Sequence, residues 1–357
     1  MEDLPIQRQE KRNIQRKSRD NKQSTKRIFR RNKKIVGGNM EITDHKYDLT
    51  NEEYNRCLLM AEMATFIRSE RVEEPRSIFV VAQAGAGKTG LKNFLINEAQ
   101  DQGKLPSYTE FNPDEIAIYH KYYREILQEF PDTSYKILQR FVQPALDTYL
   151  RQRAVELRNN LVQEGTFGSS ESYIKILEFQ KNGGVAQLGK VQEDGTREQR
   201  HVTGNYKIDI NILAVDRFES LLSCYEREQY FRENGLPPRV VTPQNHDYAY
   251  EKQLETLRMI EQKGLFDSMR VFKRGYLIER PELVYVNGDK RYPSAVSTVI
   301  AERNRNRSDL LRNPETYFSR IQSLRERVEK DGIPEQLERI GMLETQFREE
   351  LSRQEER

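Results

Sequence analysis

One stretch of this sequence constrains the fold more than any other, because it joins a buried strand to a helix through a glycine-rich turn. It reads Phe79-Val80-Val81-Ala82-Gln83-Ala84-Gly85-Ala86-Gly87-Lys88-Thr89, an apolar β-branched run followed by small residues and Gly-Lys-Thr. A polyphosphate needs a concave row of backbone N–H groups, and only small residues let the chain wrap that closely. The pattern therefore predicts a phosphate-binding loop between a strand at 77–81 and a helix at 90–99.

The loop residues have separate predicted roles toward a nucleoside triphosphate such as ATP or GTP. Lys88 would reach the β- and γ-phosphates, and the Thr89 hydroxyl would hold Mg²⁺. The usual pattern has Gly at its first place, where this chain has Ala82, a substitution that costs little while φ stays below zero. The alternative is a chance glycine-rich turn, which the strand-turn-helix context disfavours. The predicted nucleotide contacts are Gln83, Ala84, Gly85, Ala86, Gly87, Lys88 and Thr89.

Composition limits the class of protein. The 357 residues are 36% hydrophobic and 32% charged, so the chain can bury a core while much of its length is solvated helix. Two distant cysteines make no disulfide framework, which favours a reducing compartment, and the four histidines show no metal-ligand spacing. No apolar run is long enough to cross a bilayer and the N-terminus is basic. We expect a cytoplasmic protein without a membrane partner.

Charge separates the first residues from the rest. Residues 1–40 carry 13 Lys/Arg against 4 Asp/Glu, a net charge of +9, whereas the remainder has a net charge of −6. This composition predicts a flexible basic arm over 1–45, either solvated or laid as a helix on the body. Nucleic acid is the less favoured partner for the arm, because no stacking aromatic residues are interleaved.

Strand-like and helical segments alternate after the arm. The predicted strands are Ser77–Val81, Ser107–Phe111, Leu161–Thr166, Tyr206–Val215, Ser268–Lys273 and Leu283–Val286. Alternation of this kind predicts an α/β fold with a mostly parallel central sheet flanked by helices. We expect this domain to occupy residues 46–286 and a charged helical C-terminal extension to occupy residues 287–357.

Local patterns add detail. Thr50 and Glu53 have the spacing of a capping box at a helix start, and Pro144 predicts a kink or a junction in a long helical region. Residues 183–204 are rich in glycine and could form a hairpin or a mobile loop. Residues 335–356 carry an apolar stripe, which is more typical of packing on the body or a partner than of cofactor binding.

Phosphoryl transfer also requires a base and further cations. Asp114 follows Asn112-Pro113 at the end of a short strand, and ligands of open parallel sheets bind at the carboxyl ends of strands. It fits the base, although it could equally be a plain helix cap. Arg227 and Arg239 flank a helix-to-loop passage and fit the cations, although surface ion pairing would explain them as well.

These residues carry a resemblance to the zeta toxin family, the kinase half of bacterial toxin-antitoxin pairs. The resemblance covers about Asn51 to Tyr276, and the order and spacing of its elements are more specific than any one of them. The elements are the phosphate loop, Asn112-Pro113-Asp114-Glu115, Glu164-Gly165-Thr166, Tyr225-Glu226-Arg227, the run from Arg239 through Thr242-Pro243 to His246-Asp247, and Lys263-Gly264-Leu265-Phe266-Asp267.

The resemblance implies a P-loop kinase core and specific roles. Asp114 would be the general base, Glu164 and Thr166 would contact the substrate, and Arg227 with Arg239 would bind phosphate. An acidic contact on the helix before Glu164 is also expected, for which Asp147 is the candidate. The family would use ATP or GTP to phosphorylate a sugar hydroxyl of UDP-N-acetylglucosamine or a related nucleotide sugar, and it would have an antitoxin partner that covers the ATP site.

Two other functions stay open at this point. The acceptor residues do not exclude a kinase of another nucleotide such as NAD. A nucleotide-dependent module that binds nucleic acid through the arm is the alternative from another class, and it predicts salt-sensitive binding that is lost when residues 1–40 are deleted.

Overall fold

The computed structural model describes residues 46–130, 133–275 and 280–355. The predicted basic arm, residues 1–45, lies outside the described residues. The nucleic-acid function that depends on this arm therefore stays a prediction. The strands, numbered along the chain, are β1 Arg76–Val81, β2 Thr109–Phe111, β3 Leu161–Gly165, β4 Gly184–Leu188, β5 Glu198–Val202, β6 Lys207–Ala214, β7 Ser268–Lys273 and β8 Glu282–Val286. The α-helices are α1 Asn51–Phe66, α2 Lys88–Asp101, α3 Pro113–Ala117, α4 Tyr123–Glu129, α5 Ser134–Pro144, α6 Arg151–Leu157, α7 Ser170–Asn182, α8 Arg217–Glu233, α9 Pro243–Lys263, α10 Ala295–Arg312, α11 Pro314–Asp331 and α12 Pro334–Glu355.

The central sheet has the strand order β2–β3–β1–β6–β7–β8. Its strands are parallel except β8, which is antiparallel to β7. Since parallel strands end at the same edge, the segments that follow β1, β2 and β3 are neighbours there. The register places Val80 opposite Glu164 and Phe111 opposite Gln163. The predicted α/β fold with a mostly parallel sheet flanked by helices is confirmed.

Polar side chains cap the starts of α1 and α3, and the cap of α3 determines the role of Asp114. Thr50 and Glu53 form the predicted capping box of α1. Asn112 caps α3, because its side chain accepts a hydrogen bond from the Asp114 backbone N–H, and Pro113 occupies the first turn. Asp114 is therefore not the N-cap, and its carboxylate is available for other contacts.

A π-helix interrupts the long helical region at the predicted junction. It covers Ala145–Leu150, directly after Pro144, and α6 continues from Arg151. Proline cannot donate the helical hydrogen bond, so a change of winding at this point has a local cause. The π-helix carries Asp147 in its first turn.

The glycine-rich segment 183–204 is a hairpin and not an open loop. Strands β4 and β5 pair antiparallel, with Ala186 opposite Arg200. The loop between them is fastened to α1, because the Asn55 side chain donates to the Val191 carbonyl at 2.9 Å and accepts from the Val191 N–H at 2.8 Å.

The C-terminal helices share cores with the rest of the chain. In α10, Ala295, Val296 and Val299 are buried in the cluster that also contains strands β1, β3, β6 and β7. In α12, Ile340, Leu343 and Phe347 are buried against α8 and α11 in a separate cluster. The predicted apolar stripe thus packs on the body of the protein. We call α8, α11 and α12 the C-terminal bundle.

Some features do not occur in the described part of the chain. No helix among those residues is long and apolar enough to span a membrane. Within them, no group of three or more His, Cys, Asp or Glu side chains could hold a metal ion. Cys57 and Cys224 are both buried and carry free thiols.

Candidate functional site

The phosphate loop lies directly against α8. Gly85 and Gly87 have φ values of +74° and +94°, in the region that favours glycine. A Cβ atom at Gly85 would lie 1.9 Å from the Ser220 carbonyl oxygen and 2.8 Å from Cys224 Sγ. Only glycine therefore permits this approach. Among the described residues, Ala82 is not one of those with positive φ, so the alanine at the first place of the loop causes no strain.

Lys88 lies beside its own loop. Its ammonium donates hydrogen bonds to the carbonyl oxygens of Ala82 and Gln83, both at 3.0 Å. Burial lowers the pKa of Lys88 to about 8; nearby Glu164 opposes this shift, and Arg227 and Arg239 add to it. The ammonium thus belongs to a group of positive charges. Such a group favours a polyanionic ligand.

The other loop residues occupy different environments. The Gln83 side chain is fully buried and its amide donates to the Val215 carbonyl at 2.9 Å and to Ser220 Oγ at 3.1 Å. It therefore holds the loop from below and does not face the phosphate side. Ala84 packs against the C-terminal bundle, and Ala86 is buried under the loop. Thr89 is exposed in the first turn of α2.

Arg227 follows Cys224 by almost one turn of α8, so both side chains face the phosphate loop. The Nε atom of Arg227 is buried and has no hydrogen-bond partner among the described residues. A buried guanidinium donor without a partner is costly. An anion bound at the loop would supply the missing acceptor.

Asp114 and Arg239 form an ion pair. Asp114 lies in the first turn of α3, directly after β2, and Arg239 lies in the loop between α8 and α9. The pair therefore joins these two segments at the carboxyl edge of the sheet. Burial lowers the pKa of Arg239. The structure thus brings together Asp114, Arg239, Arg227 and Lys88, which the sequence placed far apart.

Two basic side chains form ion pairs with the acidic residues that were predicted to contact the substrate. Lys92 of α2 pairs with Glu164 at 3.1 Å and also with Glu110 of β2. Arg151 pairs with Asp147 of the π-helix, and its Nε donates to the Gln163 side chain at 3.0 Å. Glu164 and Asp147 therefore lie on neighbouring elements, with side chains that are 26% and 40% exposed.

The turn after β3 has an unusual backbone. Phe167 has φ of +53°, and it is fully buried against Tyr173 and Phe79. Thr166 precedes it and its hydroxyl accepts a hydrogen bond from the Gly168 N–H at 3.3 Å. Left-handed non-glycine residues occur where surrounding packing imposes them, and they concentrate at functional sites. The turn that carries Thr166 is therefore held in one shape.

A cavity of about 990 Å³ opens beside the loop. Its lining residues include Gly87, Leu91, Phe94, Leu213, Arg274 and Arg280. The volume suits a nucleotide, and the apolar side chains suit a base. Sequence reasoning missed Lys92, Arg151 and Arg274, because no motif marks the charged residues that support a site from neighbouring helices and loops.

Known proteins share sequence and fold with this chain. The model of the zeta toxin family matches residues 61–191 and 186–279. The toxin zeta of Enterococcus hirae is 21% identical over 269 residues, which cover 74% of this chain and 79% of the relative. The toxin zeta of Streptococcus pyogenes is 20% identical over 266 residues, 73% of this chain and 77% of the relative.

A solved structure is similar as well. It comes from the PezAT chromosomal toxin-antitoxin system of the human pathogen Streptococcus pneumoniae. The TM-score is 0.56 at 18% identity, over 80% of this chain and 100% of that chain, which supports the same fold. With a family model that matches more than half of its length, this chain belongs to the zeta toxin family of kinase-like, nucleotide-binding toxins.

Proposed function

We propose that this protein is a cytoplasmic kinase that uses ATP or GTP with Mg²⁺ to phosphorylate a sugar hydroxyl of UDP-N-acetylglucosamine or a related nucleotide sugar. It would act as a toxin by blocking the synthesis of cell-wall precursors. The observation that carries the proposal is the ion pair between Asp114 and Arg239 at the edge where the phosphate loop ends. A carboxylate there can take a proton, and the neighbouring cations can stabilise a transferring phosphoryl group.

The loop residues fit a triphosphate with Mg²⁺. Lys88 donates to carbonyl oxygens of its own loop, and phosphate oxygens can replace these acceptors. The buried Arg227 Nε has a hydrogen bond to offer. Thr89 can provide one Mg²⁺ ligand, and that ion commonly takes its others from water and phosphate oxygens. Bound Mg²⁺ would neutralise part of the phosphate charge.

The ion pair also indicates how the base becomes available. Arg239 can exchange its carboxylate partner for an oxygen of the γ-phosphate, which frees Asp114. Asp114 then accepts the proton of the acceptor hydroxyl. The acceptor oxygen forms a bond to the γ-phosphorus while the bond from that phosphorus to the β-γ bridging oxygen breaks. Lys88 and Arg227 hold the phosphate oxygens through the transfer.

Glu164, Thr166 and Asp147 are our proposed contacts for the acceptor. They surround the end of β3 and the π-helix, next to the edge that holds Asp114. Their oxygens can accept hydrogen bonds from sugar hydroxyls, while Lys92 and Arg151 keep the carboxylates in place.

An acceptor panel tests the proposal. The protein is incubated with labelled ATP and, separately, several nucleotide sugars and NAD, and each product is examined by mass spectrometry. We expect a nucleotide sugar to gain one phosphate; a gain on NAD alone would replace the proposed acceptor, and no gain on any member would overturn the kinase proposal. Asp114→Asn should lower the transfer rate by about 10²- to 10⁴-fold while ATP still binds. Transfer by Asp114→Asn close to the wild-type rate would remove the base assignment.

We also propose an antitoxin partner that covers the ATP site. The similar Streptococcus pneumoniae structure comes from a toxin-antitoxin system, and the cluster of cations at the loop offers an acidic partner a complementary surface. An antitoxin bound there should weaken ATP binding, which calorimetry with a non-hydrolysable ATP analogue would measure. Unchanged ATP affinity in the complex would contradict this placement.

A further inference from the structure

A guanidinium lies buried between the phosphate loop and the acceptor-side turn. Arg303 belongs to α10, beyond the residues that the family model matches, and only 3% of it is exposed. Its Nη2 donates to Gln83 Oε1 at 3.3 Å and to Gln253 Oε1 at 2.6 Å, and its Nη1 donates to the Tyr250 carbonyl at 3.0 Å. The guanidinium carbon lies 3.7 Å from the centroid of the Tyr250 ring.

All of these partners are neutral. Within the described part of the chain Arg303 forms no ion pair, and its buried Nε atom has no hydrogen-bond partner. Burial lowers the pKa of Arg303. The nearby carboxylate of Asp216 opposes this shift but does not contact the guanidinium in an ion pair. A buried cation without a direct carboxylate partner is expensive. Packing alone would be served better by an apolar side chain, so the guanidinium calls for another explanation.

The two glutamine partners of Arg303 contact different parts of the site, one the phosphate loop and the other the turn after β3. The Gln83 amide nitrogen donates to Val215 and Ser220 below the phosphate loop, and the Gln83 carbonyl accepts from Lys88. The Gln253 amide nitrogen lies 3.4 Å from the Thr166 carbonyl oxygen, in the turn after β3. Arg303 is the link between these two halves.

The chemistry of the link determines how both amides are oriented. A guanidinium is a donor only, so each glutamine must turn its oxygen toward Arg303 and its nitrogen toward the backbone that it supports. Without Arg303 each glutamine oxygen loses its donor, and the orientation of the amide then depends on its remaining contacts, chiefly with the Val215 carbonyl for Gln83 and the Thr166 carbonyl for Gln253. The support of the loop and of the turn would be weaker.

We propose that Arg303 is a positioning residue for phosphoryl transfer, which sets the distance between the phosphate loop and the turn that carries Thr166. The inference rests on the proposed function, because the donor would lie on one side and the acceptor on the other. Small displacements of reacting groups are costly, about 10²-fold for 1 Å. Arg303→Met should therefore lower kcat by about 10- to 100-fold, while the Kd of a non-hydrolysable ATP analogue changes by less than about threefold.

The test compares Arg303→Met, Arg303→Lys and Gln253→Leu with Arg312→Met. Arg312 is a matched control near the end of the same helix, because its exposed side chain pairs with the exposed Asp309. Transfer from ATP to UDP-N-acetylglucosamine gives kcat and KM, and hydrogen exchange reports the backbone at 82–87 and 165–168. We expect faster exchange in both segments for Arg303→Met, only in the second for Gln253→Leu, and in neither for the control. The kcat of the double variant Arg303→Met with Gln253→Leu should be no lower than that of Arg303→Met alone. Both changes interrupt the same chain of contacts between the phosphate loop and the turn, so their effects should not add.

The outcomes separate the two proposals. Wild-type protein that transfers no phosphate to any acceptor ends the proposed function, while the exchange measurements still test the link. Wild-type kcat in Arg303→Met, with unchanged exchange in both segments, overturns the positioning role. If Arg303→Met does not fold, Arg303→Lys decides: it keeps the charge but not the planar fork, so we expect a lower kcat than wild type with thermal stability close to wild type. Wild-type kcat and exchange in Arg303→Lys would equally overturn the role.

Discussion

The cations of the phosphate-loop site and those of the C-terminal bundle are both partly or wholly buried, but they have different neighbours. At the site, burial lowers the pKa values of Lys88 and Arg303, and Arg227 Nε has no partner among the described residues. In the bundle, Arg320 contacts Glu219 at 2.9 Å and Glu226 at 2.8 Å. These ion pairs overcome the effect of burial and raise the pKa of Arg320.

The difference separates two uses of positive charge. Carboxylates of the same chain pair with the bundle arginines, so these residues join helices, although Arg339 Nε is also buried without a partner among the described residues. Lys88, Arg227 and Arg303 form no direct ion pair with a carboxylate among the described residues, although Glu164 and Asp216 lie near Lys88 and Arg303. Part of their positive potential therefore remains available to a polyanion. One helix, α8, participates in both, since it carries Arg227 on one side and Glu219, Glu226 and Glu228 toward α11 and α12.

The largest effect should come from a site cation without a partner. Arg227→Gln should lower the rate of phosphoryl transfer by about 10²- to 10³-fold, because a positioned donor to the transferring group is removed. Thermal unfolding should change little, since no partner among the described residues is lost. Arg327→Gln is the matched control: it breaks a surface pair with Glu233 at 2.5 Å and should cost about 1 kcal/mol or less, with normal transfer. Equal effects of both variants on transfer would contradict the distinction between site cations and bundle arginines.

A bundle arginine should show the opposite behaviour. Arg339 contacts Glu228 at 2.7 Å, and the Glu228 side chain is fully buried. Arg339→Met should destabilise the fold by about 3 kcal/mol, because it removes one partner of a buried charge, although Arg232 stays near Glu228. Urea unfolding would measure the loss. Adding Glu228→Gln should recover most of it; a double variant as unstable as the single one would show that packing, and not charge, explains the effect.

The pKa of Lys88 gives a smaller, pH-dependent effect. Since this pKa is about 8 in the folded protein and bound phosphate favours the charged ammonium, ATP affinity should fall as pH rises through 8. We expect a loss of about tenfold between about pH 7 and pH 9 with proton uptake on binding, both measurable by calorimetry. Between about 8 and the ordinary value of 10.5 the unfolded state binds more protons at this position, so its contribution to stability rises with pH. Lys88→Met should lack both changes, and a pH-independent ATP affinity in the wild type would contradict the shift.

The smallest effect concerns free space in the bundle. Gly341 lies inside α12, and a Cβ atom there would meet no other atom within 4 Å. Gly341→Ala should stabilise the fold by about 0.5 to 1 kcal/mol through the lower entropy of the unfolded chain. The urea midpoint should rise and transfer should stay the same. A fall in stability would mean that the helix surface at this position is occupied.

Sequence patterns predicted those parts of the site that depend on residues close together in the sequence. The spacing around Lys88 predicted the strand, loop and helix, and the parallel sheet explains why Asp114 lies near the phosphate loop. Pro144 indicated a junction, but not that the junction is a π-helix. The domain division at residue 286 and the roles of the site residues stay predictions.

The supporting residues could not be predicted, because their contacts are distant in sequence. Arg303 lies 220 residues from Gln83, and no spacing rule connects a C-terminal helix with a phosphate loop. The inward direction of the Gln83 side chain was also hidden, since a loop motif specifies backbone and not the burial of each side chain. Lys92 looked like an ordinary charge on a helix, whereas it joins Glu110 and Glu164.

The contact between Gln83 and Arg303 has a consequence for synthesis on the ribosome. A growing chain folds from its N-terminal part first, at about 5 to 20 residues per second. The phosphate loop is made early, but the guanidinium beneath it emerges only after a further 220 residues. A nascent toxin would therefore complete the support of its loop late in translation, which would delay full activity until the chain is nearly finished.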